Sequence, residues 1–203
     1  MIHARELGLP VVIFRPGDIV GDSITGQSNK NHDLVRLLKG MVQMKIAPRD
    51  NRLLDMIPVD FVSKAIVAHN QQAVTKNSHF IFNLVHPEPV RFNDIVHSLK
   101  YDLGYNQLQV VDGNEWIQIL KRTDDVNPVV PLWPFLSQIM NHDDNLYDSS
   151  VFQVGTVPSF RELLRVMAKK LVQSGELERP SANPLFGKCA VITGASSGIG
   201  KAI

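Results

Sequence analysis

The stretch that decides the fold is residues 11–21, VVIFRPGDIVG. Its first four residues form a continuous apolar run, which is typical of a short strand buried on both faces of a parallel sheet. The turn Arg15-Pro16-Gly17 follows directly, and the residues after it, 19–31, are predicted to be loop. Ligands of open α/β folds bind at the carboxyl ends of such strands, so this turn is predicted to lie at a binding edge.

Helical and extended segments alternate on both sides of this stretch. Apolar spacing predicts a helix end at residues 2–7, with Gly8 as its cap, and buried strands at residues 79–84 and 108–111. Ser159 and Glu162 form a capping box that starts a further helix. The other predicted helices are residues 33–44, 92–103 and 115–122 and a segment starting near Asp60. This alternation indicates the α/β class, with a partial Rossmann-type parallel sheet and a helical and irregular C-terminal region.

Composition excludes several classes of protein. The chain has 203 residues, of which 44% are hydrophobic and 20% charged, and this balance is typical of a globular protein. A formal charge of +1 gives no basic surface for nucleic acid, and a single cysteine gives no internal disulfide. No run approaches the ~20 apolar residues that a membrane span needs, and the N-terminus lacks a signal peptide's apolar core. A cytoplasmic protein is expected.

A second glycine-rich segment closes the chain. The strand-like run KCAVIT at residues 188–193 is followed by GASSGIG at residues 194–200. Glycines that turn a parallel strand sharply into a helix allow the backbone and the helix N-terminus to approach a pyrophosphate. The residues predicted to bind the dinucleotide are Gly194, Ser196, Gly198, Ile199 and Gly200. This segment resembles the start of short-chain dehydrogenases/reductases.

Residues 1–177 resemble another family, the thioester reductases and related fatty acyl and carboxylate reductases, which are extended short-chain dehydrogenases. The resemblance is carried by the order and spacing of several short motifs. These are RPGDIVG at residues 15–21, DMIPVDFV at 55–62, LGY at 103–105, EW at 115–116 and the proline-rich segment at 127–135.

The resemblance implies an activity and a set of partners. Members use NADPH to reduce an acyl or peptidyl thioester on the phosphopantetheine arm of a carrier protein, releasing an aldehyde or an alcohol, often within a multidomain synthetase. It also implies that Arg15, Pro16 and Gly17 lie near the nicotinamide. The loops at residues 22–32 and 123–150 would then line the approach of the acyl group or the carrier.

The sequence departs from the family pattern in its catalytic residues. The family's Thr and its Tyr-x-x-x-Lys motif precede the Arg-Pro-Gly turn, and no Tyr-x-x-x-Lys occurs here. No catalytic residue is therefore assigned, and the chain alone is not expected to be a complete enzyme. The expected organisation is the C-terminal part of a reductase at residues 1–177, a linker at 178–186 and the start of a second reductase at 187–203.

Two other functions remain as alternatives. The first is an extended short-chain dehydrogenase acting on a sugar nucleotide or a sterol, against which the segments at 115–116 and 127–135 argue. The second is a docking or structural piece without chemistry of its own. A metal site at His142-Asp143-Asp144 is not expected, because adjacent polar residues in a proline-flanked loop are ordinarily solvated.

Overall fold

The computed structural model describes residues 3, 7–9, 11–70, 81–132, 156–181 and 186. The predicted dinucleotide segment with Gly194, Ser196, Gly198, Ile199 and Gly200 lies outside the described residues, as do residues 133–150 with His142-Asp143-Asp144. The predictions made for those residues therefore stay predictions.

Eight short strands are paired two by two in the described part of the chain. Three pairs are parallel: β1 (Ile13–Pro16) with β6 (Ile81–Leu84), β2 (Asp18–Val20) with β5 (Met56–Pro58), and β3 (Ile46–Arg49) with β8 (Gln109–Asp112). The fourth, β4 (Leu53–Leu54) with β7 (Val90–Arg91), is antiparallel. Parallel pairing needs long crossover connections, and helices provide several of them here. The predicted α/β Rossmann-type fold is confirmed.

Five α-helices occupy the described segments: α1 (Asp33–Met44), α2 (Val59–Asn70), α3 (Phe92–His97), α4 (Gly113–Leu120) and α5 (Phe160–Gln173). The predicted capping box at the start of α5 is present, since Ser159 accepts from the Glu162 N–H and Glu162 accepts from the Ser159 N–H. A π-helical turn, Ser98–Asp102, extends α3. Among the described residues, no helix is both long and apolar enough to cross a bilayer.

The prediction of loop at residues 19 and 20 is wrong. The chain does not leave the sheet at Gly17 but continues as β2, because the Gly17 N–H donates to the Leu84 carbonyl at 3.0 Å and the Asp18 N–H donates to the Asp55 carbonyl at 2.8 Å. Because the partner strand β5 is distant in the sequence, no local sequence pattern indicates that β2 pairs with it.

The larger apolar core lies around α1, α3 and α5. Fully buried side chains from these helices include Val35, Leu38, Ile95, Leu164 and Met167. A smaller cluster joins β5 and α2 to β6 through residues such as Ile57, Phe61 and Leu84. Packing in the two clusters holds β1, β2, β5 and β6 in place. The candidate site lies at the carboxyl ends of these strands.

Candidate functional site

The predicted turn lies at the carboxyl ends of β1 and β6. Pro16 is in register with Leu84, the last residue of β6. Arg15 and Pro16 are exposed, while Gly17 is half-buried. The side chains of Arg15 and Pro16 are therefore open to solvent at this edge, and their place beside a nicotinamide stays a prediction.

Gly17 is required by a contact inside the protein. A Cβ at this position would lie 2.1 Å from Asp55 Oδ2 and 2.5 Å from Asp55 Cγ. Any side chain would therefore displace the Asp55 carboxylate. The sequence suggested that Gly17 lacks a side chain because a nicotinamide ring lies beside it. The structure shows that the space next to Gly17 is occupied by the Asp55 carboxylate.

Asp55 joins the turn to the segment that follows β6. Its Oδ1 accepts the His86 backbone N–H at 2.7 Å. Burial raises the pKa of Asp55, and the His86 N–H offsets part of this effect by stabilising the carboxylate. One carboxylate thus holds together two strand ends at the binding edge.

His86 continues this connection to α5. The buried ring accepts the Glu88 N–H at Nδ1, 2.9 Å away, so Nε2 carries the proton and donates to the Pro158 carbonyl at 3.1 Å. Both ring nitrogens therefore have hydrogen-bond partners within the protein. His86 therefore fixes the start of α5 against the end of β6.

A cavity of about 240 Å³ opens past the carboxyl end of β2. Its described lining is Ile19, Val20, Gly21, Gln27, Ser28, Asn29, His32, Val35, Val59 and Met167. These residues come from β2, the following loop, α1, α5 and the first position of α2. A cavity at the carboxyl ends of parallel strands occupies the usual ligand position of such folds.

The loop at residues 22–28, which forms one side of the cavity, has a defined conformation. Asp22 Oδ1 accepts the Ile24 and Thr25 N–H groups at 3.1 and 2.7 Å, and the Asp22 N–H donates to the Gln27 carbonyl at 3.0 Å. Hydrogen bonds from Thr25 lower the pKa of Asp22. Gly26 has φ +69° and lies against the α5 backbone, where a Cβ would be 2.4 Å from the Val166 carbonyl oxygen.

Asp60 connects the same loop to α2. Its Oδ1 accepts the Ser23 N–H at 3.0 Å, and its Oδ2 accepts the Ser23 hydroxyl at 2.9 Å. Burial would raise the pKa of Asp60, but the hydrogen bonds from Ser23 and Lys64 outweigh burial and lower the pKa below its usual value. Asp60 lies within the first turn of α2, and its carboxylate connects two segments 37 residues apart.

We expect Asp60→Asn to lower the free energy of unfolding by about 1–3 kcal/mol, because an amide NH₂ then faces a Ser23 donor. Since the folded pKa of Asp60 lies below the unfolded one, its contribution is complete above the unfolded pKa of about 3.9 and is lost as pH falls through the folded value. Urea unfolding of the unchanged protein and of the Asp60→Asn variant, at neutral and acidic pH, measures the difference in their free energies of unfolding. A difference that stays constant across that pH range would contradict the lowered pKa of Asp60.

His32 fixes the other side of the cavity. Its Nδ1 accepts the Leu34 N–H at 3.2 Å and so caps α1, while Nε2 donates to Asp18 Oδ1 at 3.0 Å. The hydrogen bond with Asp18 raises the pKa of His32. Because both nitrogens have protein partners, we assign His32 a positioning role between β2 and α1.

Sequence reasoning missed several of these residues. Asp55 and His86 gave no signal of their contact, because they are 31 residues apart in the sequence. Met167 lies on the buried face of α5, yet it also lines the cavity, which apolar spacing within one helix does not indicate. Of the residues predicted near the cofactor, Arg15, Pro16 and Gly17 lie at the carboxyl end of β1, and their contact with a cofactor stays a prediction.

Comparison with known proteins places this chain in a family. Residues 1–66 match the NAD-binding family described as male sterility protein. A nonribosomal peptide synthetase of Aspergillus flavus is 34% identical over 147 residues, which is 68% of this chain and 14% of that protein. A glycine betaine reductase of Emericella nidulans is 29% identical over an alignment covering 100% of this chain and 18% of the relative. The chain thus spans less than a fifth of either relative.

A solved structure extends the similarity to three dimensions. The crystal structure of the terminal R domain from the myxalamid PKS-NRPS biosynthetic pathway superimposes with a TM-score of 0.76 at 29% identity. The match covers 88% of this chain and 48% of that domain. Residues 1–66 therefore belong to the NAD-binding male sterility protein family, and the chain is homologous to the terminal reductase domains of nonribosomal peptide synthetases.

Proposed function

We propose that this chain is part of an NADPH-dependent reductase that releases an acyl or peptidyl thioester from a carrier-protein phosphopantetheine arm as an aldehyde or alcohol. The observation that carries the proposal is the cavity past the carboxyl ends of β2 and β5, in a fold that matches a terminal R domain. Residues 1–177 would be the reductase portion, with a linker at 178–186 and a second reductase beginning in 187–203. We expect the protein to be cytoplasmic.

The reaction is a two-electron reduction of the thioester carbonyl. A hydride and a proton are added to the carbonyl group, the carbon–sulfur bond breaks, and the products are the aldehyde, the free pantetheine thiol and NADP⁺. NADPH would supply the hydride when bound. Arg15, Pro16 and Gly17 would hold the nicotinamide side of the site, and the cavity would position the acyl group beside it. No residue of this chain is assigned a proton-transfer role.

The glycine betaine reductase alignment also supports the proposed organisation. It runs through residues 178–203 as well as through the reductase portion. The proposal that Gly194, Ser196, Gly198, Ile199 and Gly200 bind the dinucleotide of a second reductase rests on their sequence pattern.

The natural protein that carries this chain provides the test of function. It would be incubated with NADPH and a carrier protein loaded with an acyl thioester, while NADPH absorbance is followed. We expect NADPH oxidation that depends on the loaded carrier, with weaker activity when NADH replaces NADPH. Oxidation that instead requires a sugar nucleotide or a sterol would favour the alternative dehydrogenase, and no oxidation with any of these substrates would contradict a reductase.

A further inference from the structure

We propose that the cavity past the carboxyl end of β2 takes a short, uncharged, apolar acyl group, and that Val59 at its rim helps to enforce this preference. The inference rests on the proposed thioester reductase function and adds the class of acyl group. It follows from the chemistry, the size and the rigidity of the described lining.

The lining contains no formally charged side chain among its described residues. It holds no carboxylate, ammonium or guanidinium group, and the two nitrogens of its one imidazole, His32, already have protein partners. The inner wall is apolar, since Val20, Val35 and Met167 are almost completely buried. Moving a charged group from water to such a wall without a partner is costly, whereas an alkyl group gains by leaving water.

The size of the cavity favours a short group. Its volume of about 240 Å³ lies below the ~300–1,000 Å³ of pockets that enclose a drug-sized ligand. The end near Gly21 is already tight, because a Cβ there would lie 2.2 Å from Ser28 Oγ and 3.1 Å from Met167 Cγ. An acyl chain longer than the cavity would have to leave past the polar side chains of Gln27, Ser28 and Asn29.

The walls are also fixed before any ligand binds. Asp60 holds the loop to α2 through Ser23, and Gly26 places the loop against the α5 backbone. These contacts order the loop in advance, so a charged group in the cavity would find only uncharged polar partners there, at Gln27, Ser28 and Asn29, and the apolar inner wall offers none.

Val59 offers a sensitive position for a test. It is the first residue of α2, lines the cavity and is 40% exposed, so a longer side chain can be accommodated there without disrupting the core. Ile66 lies on the same helix, is 41% exposed and does not line the cavity. Introducing a glutamate at either position makes the same kind of change on the same helix, but only one change places a charge at the cavity.

The experiment titrates the chain with the hexanoyl and adipoyl thioesters of N-acetylcysteamine, which have equal length but differ by a terminal carboxylate, and follows binding by calorimetry. We expect the hexanoyl thioester to bind about tenfold more tightly or better, because only the adipoyl carboxylate must be desolvated. Val59→Glu should weaken hexanoyl binding by about tenfold, while Ile66→Glu leaves it unchanged. Circular dichroism checks that both variants remain folded.

Three results would overturn the inference: equal or tighter binding of the adipoyl thioester, no saturable binding of either, or equal effects of the two variants. None of these would by itself remove the thioester reductase function, which is measured separately as carrier-dependent NADPH oxidation. Conversely, a clear preference for the hexanoyl thioester without any reduction in the natural protein would contradict the proposed function and leave the binding preference intact.

Discussion

Replacing Gly26 with alanine should lower the free energy of unfolding by about 2–5 kcal/mol. About 1–2 kcal/mol comes from the left-handed conformation, since Gly26 has φ +69°. A further ~1–3 kcal/mol comes from overpacking, because the new Cβ would meet the Val166 carbonyl oxygen and carbon at 2.4 and 2.7 Å. These are backbone atoms of α5, so a side-chain rotation cannot relieve the contact. Urea unfolding measures the loss.

Gly175→Ala is the matched control. Gly175 also has a positive φ, +76°, but a Cβ there would meet nothing within 4 Å. It should therefore show only the conformational cost of about 1–2 kcal/mol. Amide exchange should also accelerate at residues 22–28 in the Gly26 variant alone. Equal destabilisation by the two substitutions would show that the loop does not depend on its contact with α5.

Gly17→Ala should destabilise the protein by about 3 kcal/mol or more. The new Cβ would displace the Asp55 carboxylate, which adds an overpacking cost of about 1–3 kcal/mol. It would also break the charged hydrogen bond from the His86 N–H, worth about 1.5–3 kcal/mol. Because the same turn borders the proposed cofactor position, the natural protein with this substitution should also lose NADPH oxidation.

A double-mutant cycle isolates the contact. Asp55→Ala removes Oδ2 and Cγ, the two atoms nearest the new Cβ, although the Asp55 carbonyl remains at 3.0 Å. The double variant should therefore be less destabilised than the sum of the two single variants by at least about 1 kcal/mol. Additivity within about 0.5 kcal/mol would mean that Gly17 is needed for a reason other than the approach of Asp55.

The elements that the sequence predicted well are those with local signals. The predicted bounds of α1, residues 33–44, agree with the structure, since its apolar face is regular and Lys45 stops it at φ 58°. The capping box at Ser159 places the start of α5. The helix predicted at 92–103 is less regular, because α3 passes into a π-helical turn at Ser98 that apolar spacing does not reveal.

The parts that sequence reasoning missed depend on contacts between distant segments. The apolar run at residues 11–14 indicated a strand in this region, but β1 occupies Ile13–Pro16, so Arg15 and Pro16 are its last residues and Gly17 follows it. Three features arise only when the chain is folded. They are the pairing of β2 with β5, the contact of Asp55 with Gly17 and His86, and the place of Met167 in the cavity wall. No spacing within one segment encodes them.

The central claim is that this binding edge serves the reductive release of a thioester, and transfer of an isotopic label tests it most directly. The natural protein would receive an acyl-loaded carrier and NADPH with deuterium at the transferable position of its nicotinamide ring, and the released product would be analysed by mass spectrometry. We expect an aldehyde with one deuterium on its former carbonyl carbon, or an alcohol with two. Release of the unlabelled carboxylic acid, or of no product, would contradict the claim.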